Sequence, residues 1–250
     1  MSTGGEALLP EPAHGRVYAG TRRVRLSDVS PRGRLRLDGV VRYLQDVADD
    51  DTRDAGFVDA QGWVVRRTVI EVTAFPTFLE PVALRTWCSG TGSRWAERRT
   101  SLRGESGGHL EAATLWVHLD PATMRPQPLP ERFHLLYGPS AAGRSVRATL
   151  HHPPSPPAGA ERHAWHLRFT DFDVLGHVNN AAYWAIVEEQ LARQRSLRAP
   201  LRAELEHRGA LDVGAAVVGI DVDERGGGSA CWLSDEAGAV VATATIAPSA

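Results

Sequence analysis

Residues able to do chemistry concentrate in Asp171-Phe-Asp173-Val-Leu-Gly176-His177-Val-Asn179-Asn180, which runs straight into the helical stretch Ala181 to Arg193. Two carboxylates, an imidazole and two carboxamides lie close together there, with a glycine among them. A carboxylate half-buried where a helix begins can act as a base toward water or attack a carbonyl carbon directly. The first amides of a helix have no intrahelical partner and can hold an anionic oxygen. Gly176 would let the backbone approach a ligand closely. Chemistry is expected here ahead of any other segment.

The other candidates carry less. Cys88 and Cys231 lack a nucleophile context and are expected as small core residues. His151-His152 and His163-x-x-His166 lack zinc-site spacing, so no metal and no other cofactor is expected. Gly138-x-Ser140-x-Ala142 is no nucleophile elbow, and Gly90-x-Gly92 opens no helix. Every Lys/Arg position is Arg, which excludes a Schiff-base or P-loop lysine. A formal net charge of -2 argues against non-specific nucleic-acid binding. Neither a secretory signal nor an apolar run of bilayer length is visible, so a cytoplasmic protein away from the membrane is expected.

The positioning elements follow from periodicity. Arg16 to Leu26 alternates as a strand, and Leu37 to Ala48 carries the helical stripe Leu37, Val40, Val41, Leu44 and Val47. Asp49, Asp50 and Asp51 oppose a helix C-terminus, so that helix is expected to end near Ala48 unless they are locally paired. Strands are expected at Trp63–Val72, Pro81–Ser89, Trp95–Arg103 and His109–Leu119, with a turn or short helix at Glu131–Tyr137. Proline clusters mark 138–163 as a semi-rigid linker between units 16–137 and 164–250. The pattern then restarts: a strand at Trp165–Phe169, the polar motif, a helix at Ala181–Arg195, and strands at Leu201–Arg208, Ala215–Val222, Ser229–Ser234 and Val240–Ala247.

This is a tandem duplication. Arg25, Asp28 and Gly33 meet Arg168, Asp171 and Gly176 at an offset of 143 residues, while Ile70-Glu71-Val72 meets Leu205-Glu206-His207 at 135. The offset of 143 between the two cysteines is expected to be coincidence. Ser30 stands where the second copy has Asp173, and Arg34 where it has His177. Only the second copy keeps groups that move protons, so the first is expected to bind or scaffold.

Arg168 to Trp184 resembles the hot-dog thioesterase signature. The duplication, with Arg36-Leu-Asp38-Gly39, Tyr43-Leu44-Gln45-Asp46 and Trp63-Val-Val-Arg66-Arg67, is similar to the acyl-ACP thioesterases of plants and bacteria. The resemblance implies an α+β double hot-dog, two antiparallel sheets each wrapped around a long helix as an internal pseudo-dimer. It also implies hydrolysis of fatty acyl thioesters of acyl carrier protein in fatty-acid biosynthesis. Asp173 and His177 match the family motif Asp-x-Asn-x-His, but Leu175 replaces its Asn. Ala210 replaces the second Glu of the later Glu-Tyr-Arg-Arg-Glu pattern.

On that reading Asp173 is the base or nucleophile and His177 orients water or thioester, with Gly176, Val178 and Asn180 as substrate contacts. Asn179 is open between catalysis and helix capping, and Asp171 is expected to cap. Glu188 is open as the replacement for the missing Glu, a solvated helix face being the plainer reading for it and Glu189. Trp63, Phe75 or Phe78 are candidates for an acyl tunnel. One of the clusters Arg94, Arg98, Arg99, Arg103 or Arg22, Arg23, Arg25 is expected to dock the acidic carrier protein. An acyl-CoA thioesterase using the same Asp173 and a non-catalytic acyl-binding module are the alternatives. Oligomerisation beyond the pseudo-dimer stays open.

Overall fold

The computed structural model describes residues 8–249 apart from 58–61, 213, 216, 225 and 226. The first half runs β1 (Tyr18–Arg23), α1 (Leu37–Asp54), β2 (Trp63–Ala74), β3 (Pro81–Thr91), β4 (Trp95–Gly104), β5 (His109–His118) and α2 (Glu131–Ala141). The second runs β6 (Glu161–His166), α3 (Asn180–Arg193), β7 (Leu201–His207), β8 (Val217–Asp223), β9 (Ser229–Ser234) and β10 (Val240–Pro248).

The strands form one antiparallel sheet in the order β1-β3-β4-β5-β2-β7-β10-β9-β8-β6. Read outward from the central β2–β7 pair, the two halves have the same order, as the duplication predicts. β8 is therefore the counterpart of β3, and β9 that of β4. Cys88 lies on β3 and Cys231 on β9, so their equal spacing is coincidental. Inward residues of both halves and the stripes of α1 and α3 share one core, including Leu37, Val40, Val47, Trp184, Val187, Ile70 and Leu205.

Helix α1 runs past Ala48 to Asp54. Its acidic end is neutralised by arginines from distant segments: Arg22 donates to Asp50 at 2.6 Å, while Arg16 and Arg98 donate to buried Asp51 at 2.7 and 2.6 Å. Strand β6 ends at His166, and Phe169 instead opens a short 3-10 turn through Asp171. Helix α2 and β6 both extend into the expected linker, leaving 142–160 without helix or strand. That connector crosses the back of the central strands, where Glu206 accepts the backbone N–H groups of His151 and His152 at 2.5 and 3.1 Å.

Candidate active site

The polar motif folds the same way in both copies. In the second, Asp173 N–H donates to His177 O (3.0 Å), Gly176 N–H to Asp173 O (3.1 Å) and Asn179 N–H to Asp171 O (2.8 Å). In the first, Ser30 donates to Arg34 (2.8 Å), Gly33 to Ser30 (2.8 Å) and Arg36 to Asp28 (2.9 Å). Gly33 and Gly176 occupy the same left-handed conformation, φ +79° and +81°, which a side chain would strain. The duplication therefore conserved a backbone turn and changed the side chains it displays.

In the second copy the turn displays Asp173. One carboxylate oxygen accepts the Leu175 N–H at 2.9 Å and the other the Asn179 side-chain amide at 3.4 Å. Asn179 also caps α3, its Oδ1 accepting the Ala181 N–H at 2.9 Å, so one side chain joins the helix start to the carboxylate. Leu175 replaces the family Asn in side chain only: its N–H fixes Asp173 and its side chain is exposed. His177 Nε2 stands 3.4 Å from Asp212 Oδ1, in a segment bridged to the motif by Val178 N–H donating to Leu211 O at 2.8 Å. Asp212 was missed in the sequence, where attention fell on Ala210. Two residues further along the chain, it returns a carboxylate to the histidine.

Several expectations need correction. Asp171 does not cap α3; buried, it accepts from Arg168 N–H and Nη2 at 2.8 and 2.7 Å and closes the 3-10 turn. Val178 belongs to the core and its N–H is used, so it offers substrate neither group. The Gly176 N–H is likewise spent within the turn. Among the described residues the Asn180 N–H, at the first position of α3, carries no hydrogen bond. Glu188 neither faces solvent nor joins Asp173. It lies two turns down α3, roughly 12 Å from the helix start, and binds Arg34 through both oxygens at 2.7 and 3.1 Å. It also accepts the Leu37 N–H of α1 at 3.0 Å. Burial outweighs Arg34 and pushes its carboxyl above the usual range.

A cavity of about 190 Å³ lies in the first half beneath α2, walled by Ala48, Phe57, Trp63, Cys88, Phe133 and Tyr137. Beside it a separate small void of about 10 Å³, a closed neck with room for about one water, is lined by Val41, Leu44, Thr68, Thr100, Thr114 and Asn180. Gln45, Arg98 and Trp116 line both spaces. The first half thus holds the apolar volume, and the small neck beside it touches the second half where α3 begins. Trp63 is a lining residue; Phe75 instead packs against Arg34, and Phe78 is partly exposed.

The remaining candidates resolve structurally. Burial pushes both thiols up to about 11, which leaves them poor nucleophiles. His151, Glu204 and Glu206 approach one another within 4.8 Å, but Arg67 sits 3.0 Å from the His151 ring and backbone amides occupy Glu206, so the group fastens the connector. Arg98 and Arg99 form no docking face: Arg98 is tied to Asp51, and buried Arg99 donates to Ala112 O at 2.9 Å. Arg22 is paired with Asp50.

A twice-used antiparallel sheet around two helices defines a double hot-dog. Residues 15–137 match the acyl-ACP thioesterase N-terminal domain and residues 155–244 the acyl-ACP thioesterase C-terminal domain. The chain belongs to the acyl-ACP thioesterase family. It is 32% identical over 211 residues to an uncharacterized protein of Mycobacterium tuberculosis, covering 83% of each. It is 25% identical over 238 residues to the chloroplastic palmitoyl-acyl carrier protein thioesterase of Arabidopsis thaliana, covering 83% of this chain and 57% of that one. Its fold matches the 12:0-ACP thioesterase of Umbellularia californica with a TM-score of 0.77 at 22% identity, over 94% of this chain and 97% of the other. An acyl-ACP thioesterase of Bacteroides thetaiotaomicron gives 0.72 at 18% identity, over 92% and 97%. No helix among the described residues is long and apolar enough to cross a membrane.

Proposed function

We propose that the chain releases free fatty acid from acyl carrier protein in the cytoplasm, within fatty-acid biosynthesis, with Asp173 as the reacting carboxylate. The observation that carries this reading is the small neck that shares Gln45, Arg98 and Trp116 with the first-half cavity and touches Asn180 at the start of α3, beside the Asp173 turn. An acyl chain laid in the cavity brings its carbonyl to Asn180. Asp173 takes a proton from water, the hydroxide adds to the carbonyl carbon, and the oxyanion is held by the Asn180 N–H. Collapse breaks the carbon–sulfur bond, the departing thiolate takes its proton from His177, and the proton held on Asp173 is returned to His177 through solvent, restoring both groups. Asp212 orients that imidazole in place of the family carboxylate absent at Ala210. Exposed Phe169 and Val174 flank the motif and offer apolar surface to the arriving carrier.

The test is steady-state hydrolysis of one acyl chain presented on carrier protein and on coenzyme A, by wild type and Asp173→Asn. Asparagine keeps an oxygen for the Leu175 N–H, so the turn survives. The kcat is expected to fall by about 10²-fold or more, as loss of a general base does. Wild-type turnover by Asp173→Asn sinks the assignment. Faster turnover of the coenzyme A ester would replace carrier protein by the acyl-CoA alternative.

A further inference from the structure

At α1 and α3 the repeat offset of 143 pairs Leu37 with Asn180 and Gln45 with Glu188. One member of this exchange is complete: α3 lends Glu188 to the start of α1, where the carboxylate accepts the Leu37 N–H at 3.0 Å. Pseudo-symmetry requires α1 to present Gln45 to the start of α3, and Gln45 and Asn180 do line the same neck. Here the contact is left open. Among the described residues neither the Asn180 N–H nor the Gln45 side chain carries a hydrogen bond. A third donor, the buried Trp116 indole N–H on the wall of the same neck, also lacks a partner.

The residue types explain the difference. A carboxylate only accepts, which suits it to closing a helix start and to pairing with Arg34. A carboxamide can donate. In the first copy Arg34 and Glu188 fill the space that a carbonyl would need. In the second His177 turns to Asp212 and Arg98, on the neck wall, is tied to Asp51, so the Asn180 N–H, the Gln45 side chain and the Trp116 N–H stay unpaired there.

We infer that the Gln45 Nε2 amide, supplied by the first half, joins the Asn180 N–H in holding the thioester carbonyl oxygen and the oxyanion formed from it. Gln45 is then a catalytic residue of a site otherwise built from the second half. This rests on the function proposed above and adds a group to it. No bond is made or broken at Gln45; it stabilises charge as that charge moves onto oxygen.

The experiment measures kcat and KM of wild type, Gln45→Ala and Gln45→Glu over a ladder of acyl chain lengths, with thermal melts. Loss of one oxyanion donor is expected to lower kcat by about 10²-fold, equally at every chain length. Gln45→Glu should be as inactive as Gln45→Ala, since a carboxylate accepts but cannot donate to the oxyanion, and the melts show whether each variant is still folded at the assay temperature. Wild-type kcat in Gln45→Glu would overturn the inference, as would a loss confined to long chains, which would make Gln45 only tunnel wall. Either result leaves Asp173 in place if Asp173→Asn is dead; an inactive wild type overturns both proposals.

Discussion

Substituting Ala48→Leu tests whether the first-half cavity sets chain length. Ala48 is buried on α1 one turn beyond Gln45 and lines the cavity, and leucine suits a helix nearly as well as alanine. The three added carbons would occupy space inside the 190 Å³ volume that the acyl tail needs. At about 0.8 kcal/mol per buried methylene, a tail losing three such positions gives up about 2.4 kcal/mol. That is roughly a 50-fold drop in kcat/KM. Chains too short to reach Ala48 should keep their wild-type rates, and the melting temperature should hold because a cavity is being filled. The assay is kcat/KM over even-numbered acyl chains on carrier protein. An equal loss at all lengths, or none at any length, would refute the placement of the tail.

Arg34→Ala leaves Glu188 buried without its cation. Breaking such pairs costs about 3–5 kcal/mol, and the low end applies because Arg34 is 23% exposed. The melting temperature should fall by roughly 6–12 °C, and an unchanged melt would deny the pair its structural role. Since burial already raises the Glu188 carboxyl, its stabilising protonation is available at low pH and lost as pH rises through its folded value. The deficit should be smaller at pH 5 than at pH 8. His207 is buried and held down to about 4 by that burial, its ring edge-on to Tyr183 with Nε2 unpaired. The neutral imidazole folds without penalty above about 6.5, and stability drains as pH falls toward 4, by at most about 3 kcal/mol. Denaturant titrations at pH 7.5 and 4.5 should show His207→Phe losing less than wild type, and equal losses would count against it.

Alternation and helical periodicity located most strands and both long helices among the described residues, because each element buries one face and its apolar residues repeat with that face. Half of β6 lies in the stretch read as linker. What escaped were features whose partners lie far away in sequence. The C-terminal extension of α1 depends on Arg16, Arg22 and Arg98, none of which a local reading of Asp49 to Asp51 could supply. Glu188 looked solvated because Arg34 lies 154 residues earlier. Arg98 and Arg99 cannot share one docking face, since neighbours on a strand point to opposite faces and both are taken up by partners within the protein. At the candidate site, the clustering of Asp173, His177 and Asn179 in one turn was legible from type and spacing. Asp212 was not, because only the bridge between the motif and its own segment brings it to His177.

The covalent connector fastened by Glu206 has a further consequence for the chemistry. A homodimer of one hot-dog sequence must display the same residues at both of its mouths, so improving one necessarily alters the other. Here the link lets each mouth diverge: one holds the Arg34–Glu188 salt bridge across the seam, and the other carries the Asp173 turn proposed to do the chemistry. Each chain should therefore titrate with a single acyl group, and stability and catalysis can be tuned by mutating opposite ends of the same helix pair.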